Sequence, residues 1–215
     1  MTRLFIMIMV LLSFYSIAGV TVLGTRFIVS DKTKHLNIRL QNDDEGDFLI
    51  KTSIACNTND EFIVSPPLFI LPKNTKNIVT IIPSKIEKNN QDHLCKLSIA
   101  TIPKSPMISN GTVSLAIRSN LHLIYRHDSL KNVNFEQLKL IKKANNQFYL
   151  KNSTDFVLSL IISLSKDNQS GIKKTISPNE LIPVSICQNS QCNLWISIID
   201  DDDESIIQII NRSTL

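Results

Sequence analysis

The chain has 215 residues, 20% of them charged, and a formal net charge of +4. That length suits two modest domains or one large sandwich. The basic residues are scattered and never interleave with aromatics as single-strand binders require, so no nucleic-acid partner is expected.

Met1-Thr-Arg3 supplies a positive start, Leu4 to Tyr15 is almost wholly apolar, and Ser16-Ile-Ala18 offers small residues at the recognition positions of a cleavage site. The apolar run is shorter than the ~20 residues of a spanning helix. Residues 1–18 therefore read as a signal peptide, with an exported mature chain starting near Gly19 and no stable membrane insertion.

The next stretch predicts short strands separated by turn signals, with no persuasive amphipathic helix. Val20 to Val29 is the first strand, and His35 to Leu40 alternates before Asn42-Asp-Asp-Glu-Gly46 breaks the pattern. Phe48 to Ala55 follows. Phe62 to Leu71 is interrupted by Pro66-Pro67, a pair suited to a sheet edge or to a switch between sheets. Asn77 to Ile82 and Leu94 to Ile102 come next, and Asn110-Gly111 is a turn.

From Val113 to Tyr125 the odd positions read Val, Leu, Ile, Ser, Leu, Leu, Tyr, while the even positions are mostly polar. A period of two puts these rows on opposite faces of one long strand. Such a strand must pair at both edges or leave backbone donors waiting for a partner. About seven strands up to this point match the count of an immunoglobulin-like sandwich.

His127 to Asn132 is polar and reads as a linker. Beyond it, Gln147–Leu150, Phe156–Leu164, Ile172–Ile176, Leu181–Ile186, Leu194–Ile199 and Ser205–Ile210 are further predicted strands. The chain thus divides into residues 19–126 and 127–215, an all-β pair of tandem immunoglobulin-like domains.

Four cysteines in an exported chain favour disulfides over metal ligands. Three connectivities are possible. The reading favours Cys56 with Cys95, at the ends of two strands that would be antiparallel neighbours, and Cys187 with Cys192 as a local ring.

The chain carries no G-x-S-x-G elbow and no H-E-x-x-H or C-x-x-C pattern, and its four histidines lack ligand spacing. The acidic run Asp200 to Glu204 lacks the alternating ligands and glycine of a calcium loop. No catalytic residue, metal or cofactor is expected.

Several segments together resemble the PapD-like periplasmic chaperones of the chaperone–usher pathway. Gly19 to Val29, with its Thr25-Arg26 pair, is similar to that family's first strand, and Phe62 to Pro72 to its double-proline segment. Asp92 to Pro103 resembles the sixth strand, and Leu115 to Arg126 the seventh. Trp195 to Asp200 is similar to a segment of the second domain.

The resemblance implies a boomerang of two immunoglobulin-like domains around a cleft. It implies a periplasmic chaperone, not an enzyme, that binds pilus or fimbrial subunits by donor-strand complementation and delivers them to an outer-membrane usher. By position, Val113, Leu115 and Ile117 would be the donor residues. Arg26 and His122 would grip the subunit's C-terminal carboxylate, His122 standing where the family has Lys. Asp92, Arg126 and Asp200 would form an ionic bridge between the domains, and His127 replaces the family's usual Pro after Arg126. The short segment 104–111 resembles the family's short-loop subgroup. The alternative is an exported fimbrial subunit or immunoglobulin-like adhesin that is itself assembled at the surface.

Overall fold

The computed structural model describes residues 19–104, 114–143, 147–165, 171–186 and 194–199, together with the backbone of 205–210. The expected signal peptide 1–18, the donor residue Val113, both Cys187 and Cys192, and Asp200 lie outside the described residues.

Among the described residues, nine strands build the first lobe. They are β1 (Val20–Val22), β2 (Arg26–Ser30), β3 (Leu36–Asn42), β4 (Phe48–Cys56), β5 (Glu61–Ser65), β6 (Leu68–Leu71), β7 (Lys76–Lys85), β8 (His93–Pro103) and β9 (Ile117–Arg126). One sheet has the order β1-β3-β7-β5 and the facing sheet β2-β9-β8-β4-β6.

The strand predicted over Val20–Val29 is in fact two strands in different sheets. Gly24 has φ +120°, and a Cβ there would meet the Phe27 ring at 2.7 Å. Glycine alone accepts both that backbone and that approach. The chain therefore leaves β1, paired antiparallel with β3, and re-enters as β2, parallel to β9. Pro66-Pro67 marks a second crossing: β5 pairs with β7 in one sheet, β6 with β4 in the other.

Alternation fills the space between the sheets. Val29, Ile38, Leu40, Ile50, Leu97 and Leu123 are all fully buried, each worth roughly 1.5–3 kcal/mol of apolar burial. Cys56 and Cys95 are direct register partners on β4 and β8 and form a disulfide that spans 39 residues. That pairing fixes β4 and β8, which pair along their whole shared length, at one end.

The second lobe comprises β10 (Leu138–Lys142), β11 (Phe148–Asn152), β12 (Leu158–Ser163), β13 (Ile172–Ile176), β14 (Leu181–Pro183), β15 (Leu194–Ile199) and β16 (Ser205–Ile210). Its sheets run β10-β11-β14 and β13-β12-β15-β16, closing over Phe148, Leu150, Leu160, Ile176, Leu194 and Ile196. The sequence reading missed β10, a short segment with only two buried positions. It overran β14, which ends at Pro183, with one further bond from the Val184 amide to the Phe148 carbonyl at 2.9 Å. The predicted strand from Phe156 starts instead at Leu158, because the two preceding residues meet the first lobe.

Both lobes use the same device at a strand end. Asn42 is fully buried and donates to the carbonyls of Gly46, Leu71 and Pro72 at 2.8, 3.3 and 3.0 Å. Asn152, equally buried, donates to Phe156, Ile176 and Ser177 at 2.8, 3.4 and 3.0 Å. Each amide thereby satisfies carbonyls that the turn would otherwise leave unpaired away from water.

Candidate functional site

The last strand of the first lobe is half-paired. β8 runs antiparallel along β9 from Ile117 to Tyr125, whereas β2 covers the other flank only from His122 to Arg126. Among the described residues no strand lies on that flank between Ile117 and Leu121. Backbone donors and acceptors on such an edge are a template for a further strand.

The apolar row divides at the same place. Leu123 and Tyr125 are buried and Leu121 is half-buried, but Ile117 is 65% exposed and Leu115 is 73% exposed. All are odd-numbered, so the exposed residues continue the row that enters the core. The predicted strand from Val113 is shorter in the structure, starting at Ile117. Its final pair with β8 is Ile117 with Thr101, and β8 itself ends two residues later at Pro103, which has no N–H. Leu115 precedes the strand.

Arg26 and His122 are direct register partners on β2 and β9. They occupy the face of the first lobe that meets the second. Arg26 Nη1 donates to the Ile199 carbonyl at 3.1 Å, and His122 Nδ1 lies 3.2 Å from Thr175 Oγ1. Between the lobes is a cavity of about 380 Å³, lined by Thr25, Arg26, His122, Ser159, Lys173 and Thr175 among others. Although His122 is exposed by area, the facing lobe crowds its ring. Partial burial, followed by the nearby Arg26 charge, lowers its pKa below the usual 6.5. The first lobe therefore brings to this cavity a permanent guanidinium, Arg26, and an imidazole whose charged form is disfavoured.

Asp92 and Arg126, two of the three bridge residues that the resemblance implied, lie against each other, Asp92 buried and Arg126 half-buried. Arg126 Nε and Nη2 reach the Asp92 carboxylate at 3.0 and 2.8 Å, and the two side chains are 18% and 0% exposed. The exposed-pair magnitude of ~0–1 kcal/mol does not apply here. Asp92 Oδ2 also accepts the Val157 amide at 3.0 Å, and the Asp92 amide donates to Asp155 O at 2.7 Å. Arg126 lies over the Phe156 ring at 5.1 Å. The segment Asp155–Val157 is thus a part of the joint that sequence reasoning missed, since its two bonds to Asp92 run through the backbone and leave no side-chain signature.

His127, where a stiffening proline was expected, is held by its ring. It packs against Tyr125 and His93 with centroids 5.2 and 5.6 Å apart, and its Nε2 is 3.2 Å from Glu87 O. Tyr125 donates to Asp31, and that hydrogen bond is the main cause holding the Asp31 carboxyl below its usual range. His93 is buried between Asp60, 2.6 Å from Nδ1, and Asn89, 2.6 Å from Nε2. The nearby Cys56, Asp60 and Cys95 have the proximity of a metal set, but both sulfurs are committed to the disulfide.

Two immunoglobulin-like lobes, a half-paired edge strand and a basic cleft at the joint define the architecture of a two-domain β-sandwich chaperone. The family of pili and flagellar-assembly chaperones, PapD N-terminal domain, matches residues 19–131. The chain belongs to this family. It is 30% identical over 157 residues to chaperone protein FanE of Escherichia coli, covering 69% of this chain and 68% of that protein. It is 28% identical over 200 residues to the fimbrial chaperone YcbF of Escherichia coli (strain K12), covering 85% and 84%. Its fold is similar to the structure of the Salmonella enterica SafA pilin in complex with the SafB chaperone, with a TM-score of 0.74, 18% identity, and coverage of 94% and 99%.

Proposed function

We propose that this chain is a periplasmic chaperone that stabilises pilus or fimbrial subunits by donating a strand and passes them to an outer-membrane usher. The observation that carries this reading is the open flank of β9 beside exposed Ile117 and Leu115. An incomplete sandwich lacking its last strand would find main-chain partners on that edge and apolar side chains for its groove. Burying each of the two would contribute roughly 1.5–3 kcal/mol, less the cost of ordering. Val113 extends the same row in sequence.

Arg26, which meets the second lobe's Ile199 carbonyl, would hold the subunit's terminal carboxylate. A guanidinium does this bidentately and keeps its charge at any pH of interest. His122, its register neighbour, adds a hydrogen bond. Asp92 and Arg126, with Asp200 as the expected third member, would set the angle between residues 19–126 and 127–215 once residues 1–18 are removed. Membership of the chaperone family, and the pilin complex of the structural neighbour, support this reading over an exported subunit or adhesin.

Co-expression with a fimbrial subunit that lacks its final strand tests the proposal. The expected product is a soluble one-to-one complex in the periplasm, lost in the Leu115→Asp/Ile117→Asp double variant. Recovery of the chain itself in sheared surface fibres would overturn it.

A further inference from the structure

We propose that Lys173, on the second lobe, is the cation that completes the carboxylate site with Arg26, so that a peptide's terminal carboxylate is gripped from both lobes. This deepens the chaperone reading above and rests on it. The cavity walls carry Arg26 and His122 from the first lobe and Lys173 and Lys174 from the second, with no acidic side chain among the lining residues described. Such a wall attracts an anion. A carboxylate has two oxygens, and a fully ionised partner on each side satisfies it better than one guanidinium and a neutral ring.

Register selects between the two lysines. Thr175, the residue that meets His122, pairs with Ser159, and Lys173 pairs with Ile161. Residues two apart on a strand share a face, so Lys173 stands on the cleft face beside Thr175. Lys174 pairs with Leu160, which is 1% exposed in the second core, and so starts from the opposite face. Lys173 is exposed and, among the described residues, is in no ion pair. Its four-carbon stem lets the ammonium reach an anion that enters beside Arg26. Burial keeps His122 mostly neutral near neutrality, which leaves the second charge to the facing lobe. An anion held this way also ties the lobes together, so ligand and interlobe angle become linked.

The test uses the full mature protein and two fluorescent octapeptides of alternating valine and threonine, one ending in a free carboxylate and its twin in an amide. Anisotropy gives the carboxylate preference of each variant. Wild type is expected to prefer the free carboxylate. Losing one charge-assisted bond should cut that preference roughly tenfold or more, in both Arg26→Ala and Lys173→Gln. Lys173→Arg should restore it, and Lys174→Gln should retain it. Unchanged melting temperature in Lys173→Gln confirms that the fold is intact. If Lys173→Gln keeps the full preference while Arg26→Ala loses it, Lys173 is not the partner cation and the chaperone reading stands. If Arg26→Ala also keeps it, or wild type does not distinguish the peptides, the cleft is not a carboxylate site and both assignments fall.

Discussion

Asp92 and Val157, 65 residues apart, are joined by a 3.0 Å hydrogen bond from amide to carboxylate. The same carboxylate holds Arg126, so one buried side chain belongs to both lobes. Its removal leaves the buried Val157 amide without its acceptor and takes a charged partner from the half-buried Arg126. Asp92→Ala is expected to destabilise the chain by roughly 3–5 kcal/mol and to broaden the distribution of interlobe distances in small-angle scattering. Asp92→Asn keeps an acceptor for Val157 and should cost less. Equal melting temperatures for wild type and Asp92→Ala would show that the joint is held elsewhere.

The apolar row of β9 separates binding from folding. Ile117→Ala should leave the melting temperature of the free protein unchanged within error, because that side chain is 65% exposed, while weakening capture of a co-expressed subunit. Leu123→Ala, on the same face but fully buried, should lose about 2–5 kcal/mol through lost transfer and a residual cavity. Denaturant titration of both variants distinguishes them. An equally destabilised Ile117→Ala would place that residue in the chain's own core.

His122 gives the free protein a pH dependence with a definite sign. Its folded pKa lies below the unfolded value of 6.5, so the unfolded chain takes up a proton first. Stability is full above that value, falls as the pH drops toward the depressed folded pKa, and levels off beneath it. His122→Gln should remove this part of the slope in a series of thermal melts. Subunit capture should move the other way. A bound carboxylate favours the imidazolium, so affinity for the peptide acid rises on mild acidification. A wild-type affinity that does not change between neutral and mildly acidic buffer would remove His122 from the site.

Thr52 on β4 is 4% exposed, and its hydroxyl has no hydrogen-bond partner among the described residues. A buried hydroxyl without a partner costs on the order of 1–3 kcal/mol. Thr52→Val keeps the branched shape and removes the polar atom, and is expected to raise the denaturant midpoint without altering subunit capture. A lowered midpoint would mean that the hydroxyl is satisfied in solution.

Period-two alternation made most strands readable, because burial of one face dictates which residues the chain can place at odd and even positions. Pro66-Pro67 also announced its crossing, since a residue without an amide proton cannot sit inside a ladder. The crossing at Gly24 was hidden: Val20 to Val29 is rich in β-branched and apolar residues on both sides of Gly24, so the pattern reads as one strand, and the positive φ that divides it is a backbone property. Arg26, Asp92, Arg126 and His122 were singled out through family resemblance, not periodicity. Asp155–Val157 was missed because its links to Asp92 run through its backbone, which no side-chain pattern records.

What the sequence determined by itself was the β architecture, the two-part division, and the row of apolar teeth running from Leu115 into Tyr125. Only the tertiary structure decided where that row leaves the core and which flank stays uncovered, since both depend on where β2 stops beside β9. It also decided that Lys173 and Arg26 line one cavity from opposite lobes, because strand register between distant segments is fixed by packing and not by local pattern.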